Sequence, residues 1–187
     1  MWAIENELPS SELVAMLRPL VAHTQGHEVR GRLVRLELAE RLLLTPKAPS
    51  HAWEVAGLAR QVLRHESDGI TRARANGALG MAMTLLGQYR MARRAYFKAL
   101  ADDPGHPVLL HNLGHLMATV FKDPLGGCRW LRLAYRSLPD DREVAASYAH
   151  ALTLAGLTER ALDVLSRTES RERARRLIAT WRERPSF

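Results

Sequence analysis

This sequence predicts an all-α array of helical hairpins, and three observations predict it. Small residues recur at a fixed pitch: Gly80, Gly114 and Ala149 lie 34 and 35 residues apart. A second set, Ala92, Gly127 and Ala161, follows the first by 12, 13 and 12 residues. The bulky apolar residues around them recur at helical spacing, in two stretches per unit. A pitch near 34 residues with two helices per unit is the signature of a solenoid of helical hairpins. The physical cause is local, because antiparallel helices approach to about 8–10 Å only where small side chains meet at the crossing.

The elements follow in order. Ser10 or Ser11 is placed to cap a first helix through Leu13, Val14, Met16 and Leu17. Pro19 lies inside that pattern, so a kink or break is expected near Arg18. A second helix is expected over about residues 28–44, with Leu33, Leu36, Leu38, Leu42 and Leu43 as its apolar stripe. After the loop at residues 45–50, Ser50 is the expected cap of a third helix, through Trp53, Val55, Leu58, Val62 and Leu63. These last two helices match a degenerate repeat with a longer internal loop.

Three better units follow, at residues 73–106, 107–141 and 142–175. In the first, Gly80 sits midway along one helix, Gly87 supplies the turn, and Ala92 opens the partner helix. Leu79, Met83, Tyr96 and Leu100 fill the spaces, and Asp102-Asp103-Pro104 ends the unit. The second unit carries one extra residue around Asp123-Pro124-Leu125-Gly126, and the third turns at Gly156. Gly114 is expected to tolerate nothing larger than alanine. Residues 169–183 read as a terminal helix with Ala174, Leu177, Ile178 and Trp181 on one face, which covers the last apolar surface of an array. The expected division is therefore 1–70, an N-terminal helical region, and 71–187, three repeats plus a capping helix.

The leucine–glycine pairs (Leu79-Gly80, Leu113-Gly114), the Gly87-Gln88-Tyr89 turn and the alanine-then-proline endings (Ala99 with Pro104, Ala134 with Pro139) resemble tetratricopeptide repeats. The resemblance covers a little over half of the chain. None of the three units has the family's tryptophan near the start of its first helix, and the third lacks the closing proline. The resemblance implies a right-handed helical-hairpin repeat array, with an N-terminal helical extension and a C-terminal capping helix. It further implies a non-catalytic module that binds a segment of another protein: an adaptor, a scaffold or a small chaperone. In the family a stripe of each first helix faces a concave groove. Mapped onto this chain, that stripe presents Arg74, Met81, Thr84, His111, Asn112, His115, Thr119, His150 and Thr153. The carboxylate clamp of chaperone-binding members is not matched. Gly77 and Met81 stand at its positions in the first unit and Glu143, Ala146 and Ser147 in the third, leaving only Asn112.

Composition bounds the alternatives. The chain has 187 residues, 47% of them hydrophobic and 25% charged, with one cysteine, so no internal disulfide framework exists. No stretch of 18 or more apolar residues occurs, and the N-terminal segment is acidic without a basic leader. Neither membrane insertion nor a secretory signal is expected, and the cytoplasm is the default location. The net charge of +7 divides as −1 over residues 1–70, +6 over 71–140 and +2 over 141–187. The excess sits on second helices, at Arg90, Arg93, Arg94, Arg129, Arg132 and Arg136. That basic surface suits either solvent and an acidic partner or, as the alternative function, a nucleic-acid-associated accessory subunit.

His111 and His115 are four residues apart on one helix face, a workable two-ligand stem for zinc. The spacing has no glutamate of the HExxH kind, and a third ligand would have to come from His150. No metal and no cofactor is expected. Cys128 stands at a helix start, where a thiol is either activated or a small apolar filler; the filler is preferred. No phosphate loop, nucleophile elbow or carboxylate pair occurs, so no catalytic residue is assigned and no enzyme is expected. Ordinary histidines in the groove would make binding vary between about pH 5.5 and 7.5 beside a charged partner group.

Overall fold

A computed structural model describes residues 9–183. Ten α-helices and no strand occur among the described residues: α1 (Ser10–His23), α2 (Val29–Leu43), α3 (Ala48–His65), α4 (Gly69–Leu85), α5 (Tyr89–Asp102), α6 (Pro107–Thr119), α7 (Pro124–Ser137), α8 (Arg142–Leu154), α9 (Thr158–Leu165) and α10 (Arg171–Glu183). By compactness the chain divides between Asp103 and Pro104. The expected boundary at residue 70 is one of repeat pattern, and the α3–α4 packing crosses it. The segment before Pro9, from which no secretory signal is expected, lies outside the described residues.

In the first unit each helix packs on the next from α1 to α5, and α2 also touches α4. In the second unit α6 packs on α7, α7 on α8 and α8 on α9, while α6 touches α8. The helix α10 packs on both α8 and α9. It stands to α8 as α8 stands to α6, in the place of the next first helix, and seals the unit with buried Ala174 and Ile178. This is the cap that the terminal pattern predicts.

The turns explain where the helices stop. Gly87 (φ 69°) and Gly156 (φ 78°) take the left-handed conformation that glycine adopts without steric cost. Around them the Gln88 N–H reaches the Met83 carbonyl (2.8 Å) and the Leu157 N–H reaches the Leu152 carbonyl (2.8 Å), closing the free ends of α4 and α8. The inserted residue of the second hairpin changes the solution. There Lys122 takes the positive φ of 55°, and the carboxylate of Asp123 caps α7 by accepting from the Gly126 N–H (2.8 Å). Asp68 and Asp141 cap α4 and α8 in the same way.

Several N-terminal expectations are corrected. The helix α1 starts after Pro9, whose carbonyl accepts from Glu12 and Leu13, and neither serine caps it. It runs through Pro19 without a break. Its end is tied down instead, since the buried Arg35 guanidinium donates to the carbonyls of Val21 (3.2 Å) and Thr24 (2.9 Å). Ser50 does not cap α3, which already begins at Ala48; the serine hydroxyl donates back to the Lys47 carbonyl. On α2, Leu33 is exposed, and Gly31, Arg32 and Arg35 take the buried face with Leu36, Ala39 and Leu42. These arginines are held by Glu66 and Gln61 of the following segment, so the polar atoms they bring inside are paired.

The closest helix approach is between α6 and α7. A Cβ on Gly114 would lie 2.7 Å from Leu131 Cγ and 3.0 Å from both the Gly127 carbonyl oxygen and the Leu131 nitrogen. A Cβ on Gly127 would lie 2.7 Å from the Gly114 carbonyl oxygen and 2.9 Å from the Ala118 nitrogen. Backbone, not a yielding side chain, occupies the space. Even alanine is too large at Gly114, a stricter limit than the sequence suggests. At Gly80 the neighbour is the Tyr96 ring, at 2.5 Å. Gly57 in α3 has nothing within 4 Å of its Cβ position. We therefore expect Gly114→Ala and Gly127→Ala each to destabilise the protein by about 1–3 kcal/mol through overpacking. Gly57→Ala should instead stabilise it by about 0.5–1 kcal/mol, because alanine is the better helix former. Urea titrations followed by circular dichroism give the order, and an equal effect at Gly57 and Gly127 would contradict it.

Candidate functional site

In the first unit the α2–α4 face is a charged lattice. Arg74 donates to Glu40 through Nε (3.0 Å) and Nη2 (2.5 Å) and lies 3.7 Å from Glu37. Its hydrogen bond to Glu40 is the main cause that raises its pKa. Arg74 is thus engaged by carboxylates of its own chain. Met81 is half-buried. The Thr84 hydroxyl donates to the Gly80 carbonyl (2.9 Å) and lies 3.4 Å from the Tyr96 hydroxyl. Burial pushes the Tyr96 hydroxyl up to about 12, so it is a neutral core group.

In the second unit the sequence-predicted residues fall on α6 and α8. His111 is 9% exposed, and its Nε2 lies 2.9 Å from Ser147 Oγ across the α6–α8 contact. His115, one turn further along, is exposed, with its ring centroid 6.2 Å from that of His111. Asn112 is half-buried on the same helix. His150 is 8% exposed, its ring 5.0 Å from that of Trp181 on α10. Its Nε2 is buried and finds no hydrogen-bond partner among the described residues. The Thr119 and Thr153 hydroxyls both donate to the carbonyl four residues earlier, those of His115 (2.8 Å) and Ala149 (2.9 Å). Thr153 is also buried, so it offers nothing to a ligand.

His115 and His150 are both held below the ordinary imidazole pKa, chiefly because desolvation by the surrounding protein disfavours the cation. His111 adds to this at His115, against the opposing charge of Glu143, and His115 adds to it at His150. The titration window expected for ordinary histidines therefore moves to lower pH for these two. Among the described residues, no group of three or more His, Cys, Asp or Glu side chains is placed to hold a metal ion. Cys128 is 9% exposed, and burial raises its thiol, so the filler reading fits its environment better than the activated one.

The basic surface divides by unit. On α5, Arg90 and Arg94 are exposed and Arg93 is half-buried, with Tyr89, Met91 and Phe97 exposed alongside. On α7, Arg129, Arg132 and Arg136 are all exposed, with Leu125 and Leu133. Sequence reading did not assign Ser147 or Trp181 as neighbours of these histidines. The signal for Ser147 was available: His111 and Ser147 are 36 residues apart, close to one repeat. The pairs Arg74–Glu40 and Arg32–Glu66 are 34 apart. Polar partners one pitch apart meet on successive hairpins.

Scans against protein-family models and curated proteins find no match. Solved structures do match. YrrB, described as a TPR protein with an unusual peptide-binding site, aligns with a TM-score of 0.69 at 15% identity, covering 92% of this chain and 85% of its own. A Podosopora anserina kinesin light chain with nearly identical TPR-like repeats aligns at 0.66 and 16% identity, covering 93% and 89%. A structure of MamA aligns at 0.66 and 12% identity, covering 87% and 88%. The chain has the tetratricopeptide-repeat fold. At these identities the likeness concerns the fold, and the TPR frame is what sets His111, His115 and His150 on first helices. No described helix is long and apolar enough to cross a membrane.

A pH prediction follows for this TPR unit. A histidine whose folded pKa is depressed favours the neutral native form, so its contribution is fully present above the unfolded value near 6.5 and lost as pH falls below it. Thermal stability should be level above about pH 7 and decline below pH 6.5. His150→Gln should reduce that decline. An identical acid limb in the variant would show that His150 is not responsible.

Proposed function

We propose that this chain is a non-catalytic protein-interaction module, an adaptor, scaffold or small chaperone, that takes a partner protein segment on the first-helix face of its second unit. The observation that carries the reading is the α6–α8 surface itself. There Asn112 and the exposed His115 stand beside the engaged His111, and the His150 Nε2 remains without a partner. A buried polar atom left unpaired costs about 1–3 kcal/mol, which an incoming peptide N–H or hydroxyl would recover. Because desolvation keeps His115 and His150 neutral near pH 7, recognition there is by hydrogen bonds and shape rather than by charge. The half-buried Met81 is the groove candidate with apolar surface in the first unit, whereas Arg74 contributes through its lattice with Glu40. The unusual peptide-binding site described for YrrB supports the general reading, though that site belongs to YrrB. The working location is the cytoplasm.

Asn112→Ala combined with His115→Ala should weaken capture of the native partner about tenfold or more, given the usual cost of a lost buried hydrogen bond. The melting temperature should stay nearly unchanged, since neither side chain belongs to the core. Partner affinity equal to wild type, measured by calorimetry, would move the interface off this face.

The alternative reading is a nucleic-acid-associated accessory subunit, favoured by the exposed Arg90 and Arg94 beside exposed Tyr89 and by Arg129, Arg132 and Arg136 on α7. The adaptor reading predicts only weak, steeply salt-dependent binding of DNA or RNA at about 0.15 M salt. Sub-micromolar binding there, lost on reversing Arg90 and Arg94 to glutamate, would favour the alternative.

A further inference from the structure

We propose that the cleft between α9 and α10 binds a second, acidic segment of a partner protein, laid in extended form along α10. The cleft has a volume of about 280 Å³ and is lined by Glu159 and Leu162 from α9 and by Arg171, Arg175, Ile178 and Arg182 from α10, among others. The α10 residues are spaced by four, three and four, so they form one stripe along the helix.

Two features set this stripe apart from ordinary surface charge. Arg173 and Arg176, elsewhere on the same helix, pair one turn back with Glu169 (3.2 Å) and Glu172 (3.0 Å). Among the described residues Arg171, Arg175 and Arg182 have no ion pair, and the lining holds Glu159 as its one acidic side chain. The cleft thus carries an unbalanced positive charge. Guanidinium groups are forks suited to carboxylates, and a carboxylate chain would separate three like charges that otherwise face only solvent.

The dimensions choose the occupant. From Arg171 to Arg182 is eleven residues of helix, a rise of about 16 Å. An extended peptide covers that distance in about four to five residues. A single inorganic anion reaches one end of it. The floor is made by Leu162 and Ile178, almost wholly buried at 8% and 5% exposure, so it offers shallow apolar contact to an aliphatic side chain. Glu159 and this floor suit a segment that mixes acids with aliphatic residues rather than a uniform polyanion. The cleft shares no residue with the α6–α8 face, so this inference stands apart from the function proposed above.

The test uses the whole chain and fluorescein-labelled Glu-Leu-Asp-Glu-Leu-Asp, compared with its amide counterpart Gln-Leu-Asn-Gln-Leu-Asn, by anisotropy at about 0.15 M ionic strength. We expect the acidic peptide to bind about tenfold or more tightly than the amide one, and Arg175→Glu with Arg182→Glu to remove that preference. The milder Arg175→Gln with Arg182→Gln should reduce it in a chain that melts like the wild type. Asn112→Ala with His115→Ala should leave it unchanged. Absence of binding, equal binding of the two peptides, or insensitivity to both arginine pairs would overturn the proposal. So would displacement by millimolar inorganic phosphate at constant ionic strength, or tighter binding of an oligonucleotide of equal charge.

Discussion

The contact on which the second unit depends is the backbone-to-backbone approach of α6 and α7 at Gly114 and Gly127. Each glycine lies where the other helix's main chain passes, so the fit is reciprocal and leaves no room for a Cβ on either side. That contact fixes the rotation of α6 about its own axis. With Gly114 turned toward α7, a helix of 3.6 residues per turn carries His111, Asn112 and His115 roughly 60°, 160° and 100° away from the seam, all to one side. His111 then meets Ser147 of α8, and its neighbours are left on the flank. The placement of the candidate site is thus a consequence of two missing side chains.

The same position in the first unit is built differently. Gly80 faces the Tyr96 ring, a side chain that is 2% exposed and fills the space between α4 and α5. A ring tolerates displacement better than a main chain does, so the hairpins that look alike in sequence differ in stiffness at their crossings. Electrostatics follows the repeat as well. Arg32 with Glu66 and Arg74 with Glu40 join hairpins one pitch apart, and Arg32 with its acid is largely withdrawn from water. Glu66 is held below the usual carboxylate range, first by the Asp68 N–H and then by Arg32 and the Ser67 N–H, against the opposing effect of burial. Truncating either partner would leave a charge in a poorly solvated place, which is where ion pairs matter most.

Much of this was legible in the sequence because repeats state the same constraint three times. Gly80 with Ala92 and Gly114 with Gly127 locate the crossings, and Gly87 and Gly156 locate turns that require a positive φ. The second turn was less legible: its extra residue moves the positive φ to Lys122, and the glycines nearby serve the cap and the crossing instead. The N-terminal helices carried no repeated statement to check against. Leucine counting places Leu33 inside α2, while the structure buries Arg32 and Arg35, whose donors are satisfied by carbonyls and side chains distant in sequence. The local rule for Pro19 predicts a break, and tertiary bonds to the end of α1 hold the helix together. At the candidate site the residue types were readable but not their state. Whether a threonine is available or bonded to its own helix, and whether an imidazole is exposed like His115 or covered by Trp181 like His150, depends on packing that spacing alone does not encode.

Photo-crosslinking addresses the central claim, that a partner segment lies on the α6–α8 face. A crosslinking amino acid is placed singly at Asn112, at His115, at Arg94 on α5 and at Arg132 on α7, and each full-length variant is irradiated in lysate from the native source. The account predicts a discrete protein adduct of one mass from positions 112 and 115, competed by excess unlabelled wild-type chain, and none of that mass from positions 94 or 132. Adducts formed only from positions 94 or 132 would contradict it.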